Sequence, residues 1–196
     1  MEIDIAVALI GVGATIAGTV LGWGLNNLSN RGKLNIYISS WKDEFKKNDA
    51  GEINPAHKKS EVEYYQFNGA IDIYNSSGET RIMREVEIAY YSGRTLLKTF
   101  SPLDDATKRP TGQYVPFHYD ELGVVNVPPK SVVSFTIHNG MWDIDGKEGT
   151  LDFLWKTNYI KIRYRNENNR RKTKKVKKVD FLNHFNNQNT EERDNG

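Results

Sequence analysis

The hydrophobic pattern changes character once along the chain. From Ile5 to Leu25 apolar and small residues run on without a single charge. As a helix rising about 1.5 Å per residue, this run is roughly 31 Å long, the thickness of a bilayer's hydrocarbon core. Beyond residue 30 the pattern becomes short alternations of period two, the signature of half-buried strands. Leu34, Ile36 and Ile38 alternate with polar neighbours. Tyr65, Phe67, Gly69, Ile71 and Ile73 form the longest alternation, with Gln66, Asn68 and Asp72 on the other face and Gly69 a candidate bulge. Val86, Ile88 and Tyr90 are inward candidates, set against Glu85 and Glu87. Leu96–Phe100, then Val133, Phe135 and Ile137, then Leu151, Phe153 and Trp155, then Ile160, Ile162 and Tyr164 continue the series.

Turn chemistry punctuates these runs. Asn75-Ser76-Ser77-Gly78 and Ser92-Gly93 read as turns. Asn166-Glu167-Asn168-Asn169 reads as a hairpin turn, with Arg170–Val179 returning. The charged stretch 42–60, with Gly51 and Pro55, predicts a loop, and 101–112 an irregular connection. Seven to nine short strands with no helical period after residue 30 predict an all-β, immunoglobulin-like antiparallel β-sandwich preceded by one N-terminal transmembrane helix. The expected division is an anchor over 1–30, a sandwich over 31–180 and a disordered polar tail over 181–196.

Two alternatives for the apolar run are weaker. A buried helix in a soluble core would not suit Gly11, Gly13, Gly18, Gly22 and Gly24, each costing about 1 kcal/mol relative to alanine. A cleaved signal peptide begins with basic residues, and here Glu2 and Asp4 stand instead. No Lys or Arg precedes the run, whereas Arg31, Lys33, Lys42, Lys46 and Lys47 follow it. The positive-inside rule therefore predicts a single-pass protein with its N-terminus outside and the sandwich in the cytoplasm. Ala14, Gly18 and Gly22 recur every fourth position and form a candidate helix-packing stripe for self-association.

Charge sharpens the picture in one place. Residues 161–180 hold ten Lys/Arg and two acidic residues, a net +8 in a chain of +2, which leaves −6 for the rest. Arg163, Arg165, Arg170, Arg171, Lys172, Lys174, Lys175, Lys177 and Lys178 make a candidate basic patch. Edge lysines that block sheet-to-sheet pairing explain it most simply. Anionic lipid head groups are the next candidate partner. Nucleic acid is disfavoured, because no aromatic-rich binding motif accompanies the charges.

Gly32-Lys33-Leu34-Asn35-Ile36-Tyr37, Ile73-Tyr74-Asn75-Ser76-Ser77 and Asn126-Val127-Pro128-Pro129-Lys130, behind an N-terminal anchor, resemble small uncharacterised single-pass, membrane-anchored β-sandwich proteins of low-GC Gram-positive bacteria. The resemblance spans about residues 5–180, rests on structural punctuation, and carries over no functional residue.

Catalytic and metal motifs are weak. His57, His118, His138 and His184 lack metal-site spacing. Asp143 to Glu148 resembles a calcium loop, but an Asp-Gly turn explains it more cheaply. Asp104 and Asp105 with Asp120 and Glu121 could pair for acid–base work, yet nothing in the sequence brings them together. With no cysteine, thiolate chemistry is excluded. No catalytic residue, metal or cofactor is assigned. The expected function is a membrane-tethered, non-enzymatic interaction or sensing module with an unidentified protein partner. The alternative is a phage-exclusion or immunity-type defence factor.

Overall fold

A computed structural model of the chain describes residues 2–112, 117–143 and 150–185; of residues 2–12, 175 and 176 only the backbone is described. Helix α1 covers Glu2–Asn30. Strands follow as β1 (Leu34–Asp49), β2 (Glu52–Pro55), β3 (Tyr64–Asn75), β4 (Arg81–Ser92), β5 (Thr95–Phe100), β6 (Leu103–Asp104), β7 (Arg109–Pro110), β8 (Phe117–His118), β9 (Val125–Val127) and β10 (Val132–Trp142). A short helix α2 (Asp152–Lys156) precedes β11 (Tyr159–Arg165) and β12 (Arg171–Lys178). All described pairings are antiparallel.

Two sheets face each other. One has the order β2-β1-β3-β10-β6; the other runs β12-β11-β4-β5, with β9 also pairing with β4. β7 and β8 form a separate ribbon. Tyr65, Phe67, Ile71 and Ile73 from β3 meet Met83, Val86, Ile88 and Tyr90 from β4 and Ile160 and Ile162 from β11. Each such side chain, fully buried, contributes roughly 1.5–3 kcal/mol. This is the expected sandwich.

Two bulges keep both strands facing the core. In β1 the register slips between Ile38 and Ser40, so Ile38 and Trp41, three apart, both turn inward. The Trp41 ring then stacks on Phe67 with centroids 5.1 Å apart. It fills the space over Gly69, where a Cβ would lie 2.8 Å from the indole. Gly69 is thus not the bulge but the seat for Trp41. In β4 Glu85 adopts φ +48°, and the slip against β11 lets Met83 and Val86 both bury.

Three expectations need correction. Residues 42–55 are not a loop: β1 runs on to Asp49 and turns into β2 through Ala50 and Gly51, both at positive φ as a two-residue hairpin requires. Leu151, Phe153 and Trp155 lie on or beside helix α2 rather than a strand. Residues 181–185 are helical, with Phe181 and Phe185 buried against Phe45, so the tail does not begin at 181.

The N-terminal helix forms as expected, but among the described residues no helix is long and apolar enough to cross a membrane. Its last turns carry Asn26, Asn27, Ser29 and Asn30, and the side chains where the uncharged run begins lie outside the description.

Candidate functional site

Three segments that are far apart in sequence form a knot where α1 meets the sandwich. Asn75, fully buried, donates from Nδ2 to the carbonyls of Val127 at 2.9 Å and Glu79 at 2.7 Å. Its Oδ1 accepts from the Ser77 amide at 2.9 Å and hydroxyl at 2.6 Å. The Ser76 amide donates to the Lys33 carbonyl, and Lys130 Nζ donates to the Ser76 carbonyl at 2.6 Å. Gly32 permits the approach, since a Cβ there would sit 2.2 Å from the Ser77 nitrogen. The helix end is tied to the same loop. The Gly78 amide donates to the Ser29 carbonyl at 2.9 Å, and Asn30 Nδ2 donates to Glu79 Oε1 at 2.7 Å. Arg81 completes the root by donating to the Asn30 carbonyl at 2.8 Å while pairing with Glu167 at 2.7 Å.

A cleft of about 440 Å³ opens beside this root, lined by Gly32–Leu34, Arg81, Tyr164, Asn166, Glu167 and Lys172–Lys174. The β11–β12 register explains its charge. Lys172 lies opposite Tyr164, Lys174 opposite Ile162 and Lys177 opposite Ile160. Directly opposed residues share a face, so these lysines project on the core side of an edge strand.

The basic patch therefore divides. Arg163 is buried and pairs with Glu87 at 3.4 Å; Arg165 pairs with Glu85 at 2.6 Å. Lys177 crosses to Asp43 at 2.8 Å, and Asp43 also accepts from the Tyr65 hydroxyl, itself 2.8 Å from that of Tyr90. Burial holds both phenols well above the ordinary 10.0. Arg170, Arg171, Lys172 and Lys178 are exposed, and Lys174 is half-buried. The Lys175 side chain lies outside the described residues.

The segments carrying the acidic residues flagged in the sequence pair through their backbones, while the carboxylates of Asp104, Asp105 and Asp120 take separate partners. The Asp104 amide donates to the Asp120 carbonyl, and Leu103 bridges Glu121. Asp120 makes a bidentate pair with Arg109 at 2.6 and 2.9 Å, which lowers its pKa, and lies 3.2 Å from His118. Asp105 hydrogen-bonds His138 Nδ1, whose ring packs edge-on against Tyr119. Gln66, Asn68 and Lys108 complete a polar pocket of about 380 Å³. His57 is exposed, and His184 packs on Phe45. No cluster of three metal-ligating side chains occurs among the described residues; residues 144–149 of the calcium-loop candidate lie outside them. Ala14, Gly18 and Gly22 are exposed on α1, and nothing in the described chain lies within 4 Å of where a Cβ would stand on Gly18 or Gly22.

Comparison with known proteins matches residues 32–177 to a family described as the YopI Ig-like domain. The chain belongs to the YopI Ig-like domain family. The match begins at the glycine of the knot and ends within β12, so it takes in both faces of the cleft. A relative from Bacillus subtilis strain 168, the SPbeta prophage-derived uncharacterized protein YopI, is 29% identical over 133 residues, 66% of this chain and 70% of that protein. The Gram-positive, immunoglobulin-like part of the resemblance drawn from the sequence therefore stands. Two solved structures align more distantly. One is an ApaA protein from Bordetella pertussis, at TM-score 0.34 and 10% identity over 76% of this chain and 93% of that one. The other is an uncharacterized β-sandwich protein from Clostridium difficile 630, at 0.29 and 14% over 74% and 86%. At these scores neither bears on the argument.

Proposed function

We propose that the chain is a membrane-tethered, non-enzymatic interaction or sensing module: α1 is a single-pass anchor and the sandwich sits in the cytoplasm. One observation carries the reading. Ile16, Val20, Leu21, Trp23, Leu25 and Leu28 are each 60–69% exposed on α1. At about 100° per residue they spread over more than half the helix circumference. An apolar surface of that extent needs a cover, and the uncharged run Ile5–Leu25 has the length of a bilayer core. Within the helix Thr19 donates its hydroxyl to the Thr15 carbonyl at 2.8 Å, so that polar group needs no water. The basic residues after the run support the cytoplasmic side. The open face at Ala14, Gly18 and Gly22 supports a homo-oligomer formed through the helix.

The test is alkaline carbonate extraction of membranes expressing the full chain. The wild type stays in the pellet. Ile16→Lys with Val20→Lys, costing about 2.5–3.5 kcal/mol each in an apolar span, shifts it to the supernatant. Release of the wild type would end the anchor reading. A second reading, exclusion of or immunity to phage, is supported by the prophage origin of the Bacillus relative. Unchanged plaque counts on cells expressing the chain, across a panel of infecting phages, would remove it.

A further inference from the structure

We infer that the cleft beside the helix root binds a phosphate-bearing anion, and that in the cell this anion is a lipid head group of the leaflet from which α1 emerges. Four cationic side chains line it, Lys33, Arg81, Lys172 and Lys174, against one acidic residue, Glu167. Glu167 is already taken by Arg81. Lys33, Lys172 and Lys174 have no ion-pair partner among the described residues, so three uncompensated ammonium groups border one cavity. That arrangement repels cations and leaves the site short of negative charge. Lysine serves phosphate as a point charge, and a cavity of about 440 Å³ lies in the range of small-ligand sites.

Position selects the source of the phosphate. Gly32 and Lys33 line the cleft two and three residues after α1 ends at Asn30. The Arg81 that borders the cleft also grips the Asn30 carbonyl. The cleft is thus fixed at the helix exit. β12 runs away from it: Lys178 is six residues beyond Lys172, about 20 Å at the rise of a strand and more than two Debye lengths at physiological salt. Lys177 is in addition committed to Asp43. The patch read from the sequence as one surface therefore has a phosphate-binding end and a structural end. The inference rests on the tether reading only for the source of the anion.

The experiment uses the isotope-labelled full chain in neutral maltoside micelles, followed by amide NMR at about 0.15 M salt. Short-chain phosphatidylglycerol, phosphatidylcholine of the same chain length and inorganic phosphate are titrated in turn. Saturable shifts confined to Gly32, Lys33, Asn166 and Lys172–Lys174, produced by phosphatidylglycerol and not by phosphatidylcholine, are the expected result. Each cation near the phosphate is worth about fivefold in affinity, so Lys172→Gln with Lys174→Gln weakens binding about 25-fold. Arg170→Gln with Arg171→Gln removes the same charge outside the cleft and changes affinity less than about threefold. Equal response to inorganic phosphate at the same amides supports the site and assigns it to a soluble anion. Equal losses in the two double variants, or shifts spread over all exposed lysines, overturn the proposal. Contacts between maltoside and α1 in the same sample report separately on the anchor, so silent cleft amides with α1 in the micelle refute the cleft alone.

Discussion

Asn75→Ala is the substitution with the largest worked consequence. Asn75, fully buried, ties the 75–79 turn to the Val127 carbonyl ahead of β10. Truncation strips the Val127 carbonyl of a donor and leaves the Ser77 amide and hydroxyl without their acceptor. A buried polar group left unpaired costs about 1–3 kcal/mol. The Ser77 hydroxyl recovers part of this by donating to the Glu79 carbonyl at 2.8 Å. The net loss is then about 3–5 kcal/mol, a large share of the roughly 5–15 kcal/mol that holds a domain together. Urea unfolding of the full chain in mild detergent, read by tryptophan fluorescence, measures it. At a slope of about 2 kcal/mol/M the midpoint falls by about 2 M. Asn68→Ala, on the outward face of the same strand, moves it by less than about 0.3 M. A loss under about 1 kcal/mol for Asn75→Ala would refute the claim that this amide closes the knot.

Tyr65 and Tyr90 have phenol pKa values raised by burial, so the folded state keeps protons that the unfolded state gives up above about pH 10. Their contribution is therefore intact below that pH, and stability falls above it by about 1.4 kcal/mol per pH unit for each tyrosine. Tyr65→Phe should make the slope in alkaline denaturation shallower by about 1.4 kcal/mol per pH unit, and an unchanged slope would count against burial as the cause. Lys177→Gln strands the largely buried Asp43 carboxylate and costs about 2–4 kcal/mol in chemical denaturation, while Arg171→Gln stays within about 0.5 kcal/mol. Gly22→Leu weakens self-association in a membrane two-hybrid assay and Val20→Leu does not; equal signals would reduce the small-residue stripe to background.

The sequence showed strands wherever burial enforced strict alternation, as along β3, where every second residue from Tyr65 to Asn75 is buried. It hid the far half of β1, because Lys42, Glu44 and Lys46 read as a solvated loop when they are an ion-paired outer face over Asp43 and Phe45. It misled at α2, where Leu151, Phe153 and Trp155 mimic alternation. Leu154, fully buried beside Phe153, is the residue that breaks that pattern. Phe181 and Phe185, four apart, carried a helical signal inside a polar tail. The basic residues were plain in the sequence, but their division was not. It depends on which of them oppose Tyr164 and Ile162 across the hairpin, a register countable from the Asn166–Asn169 turn. It depends equally on Asp43 and Lys33 arriving from the other sheet, which no local pattern reveals. The segments that carry the acidic residues at 104–105 and 120–121 pair through their backbones and show almost no apolar periodicity.

The placement of the sandwich relative to the membrane is tested most directly by topology reporters fused after Gly196 in the full chain. A fluorescent reporter that matures in the cytoplasm and an alkaline phosphatase active only outside are compared on the same carbonate-washed membranes. Bright fluorescence that stays with the membrane pellet, with no phosphatase activity, is the expected result. Phosphatase activity, or fluorescence recovered only in the supernatant, would contradict it.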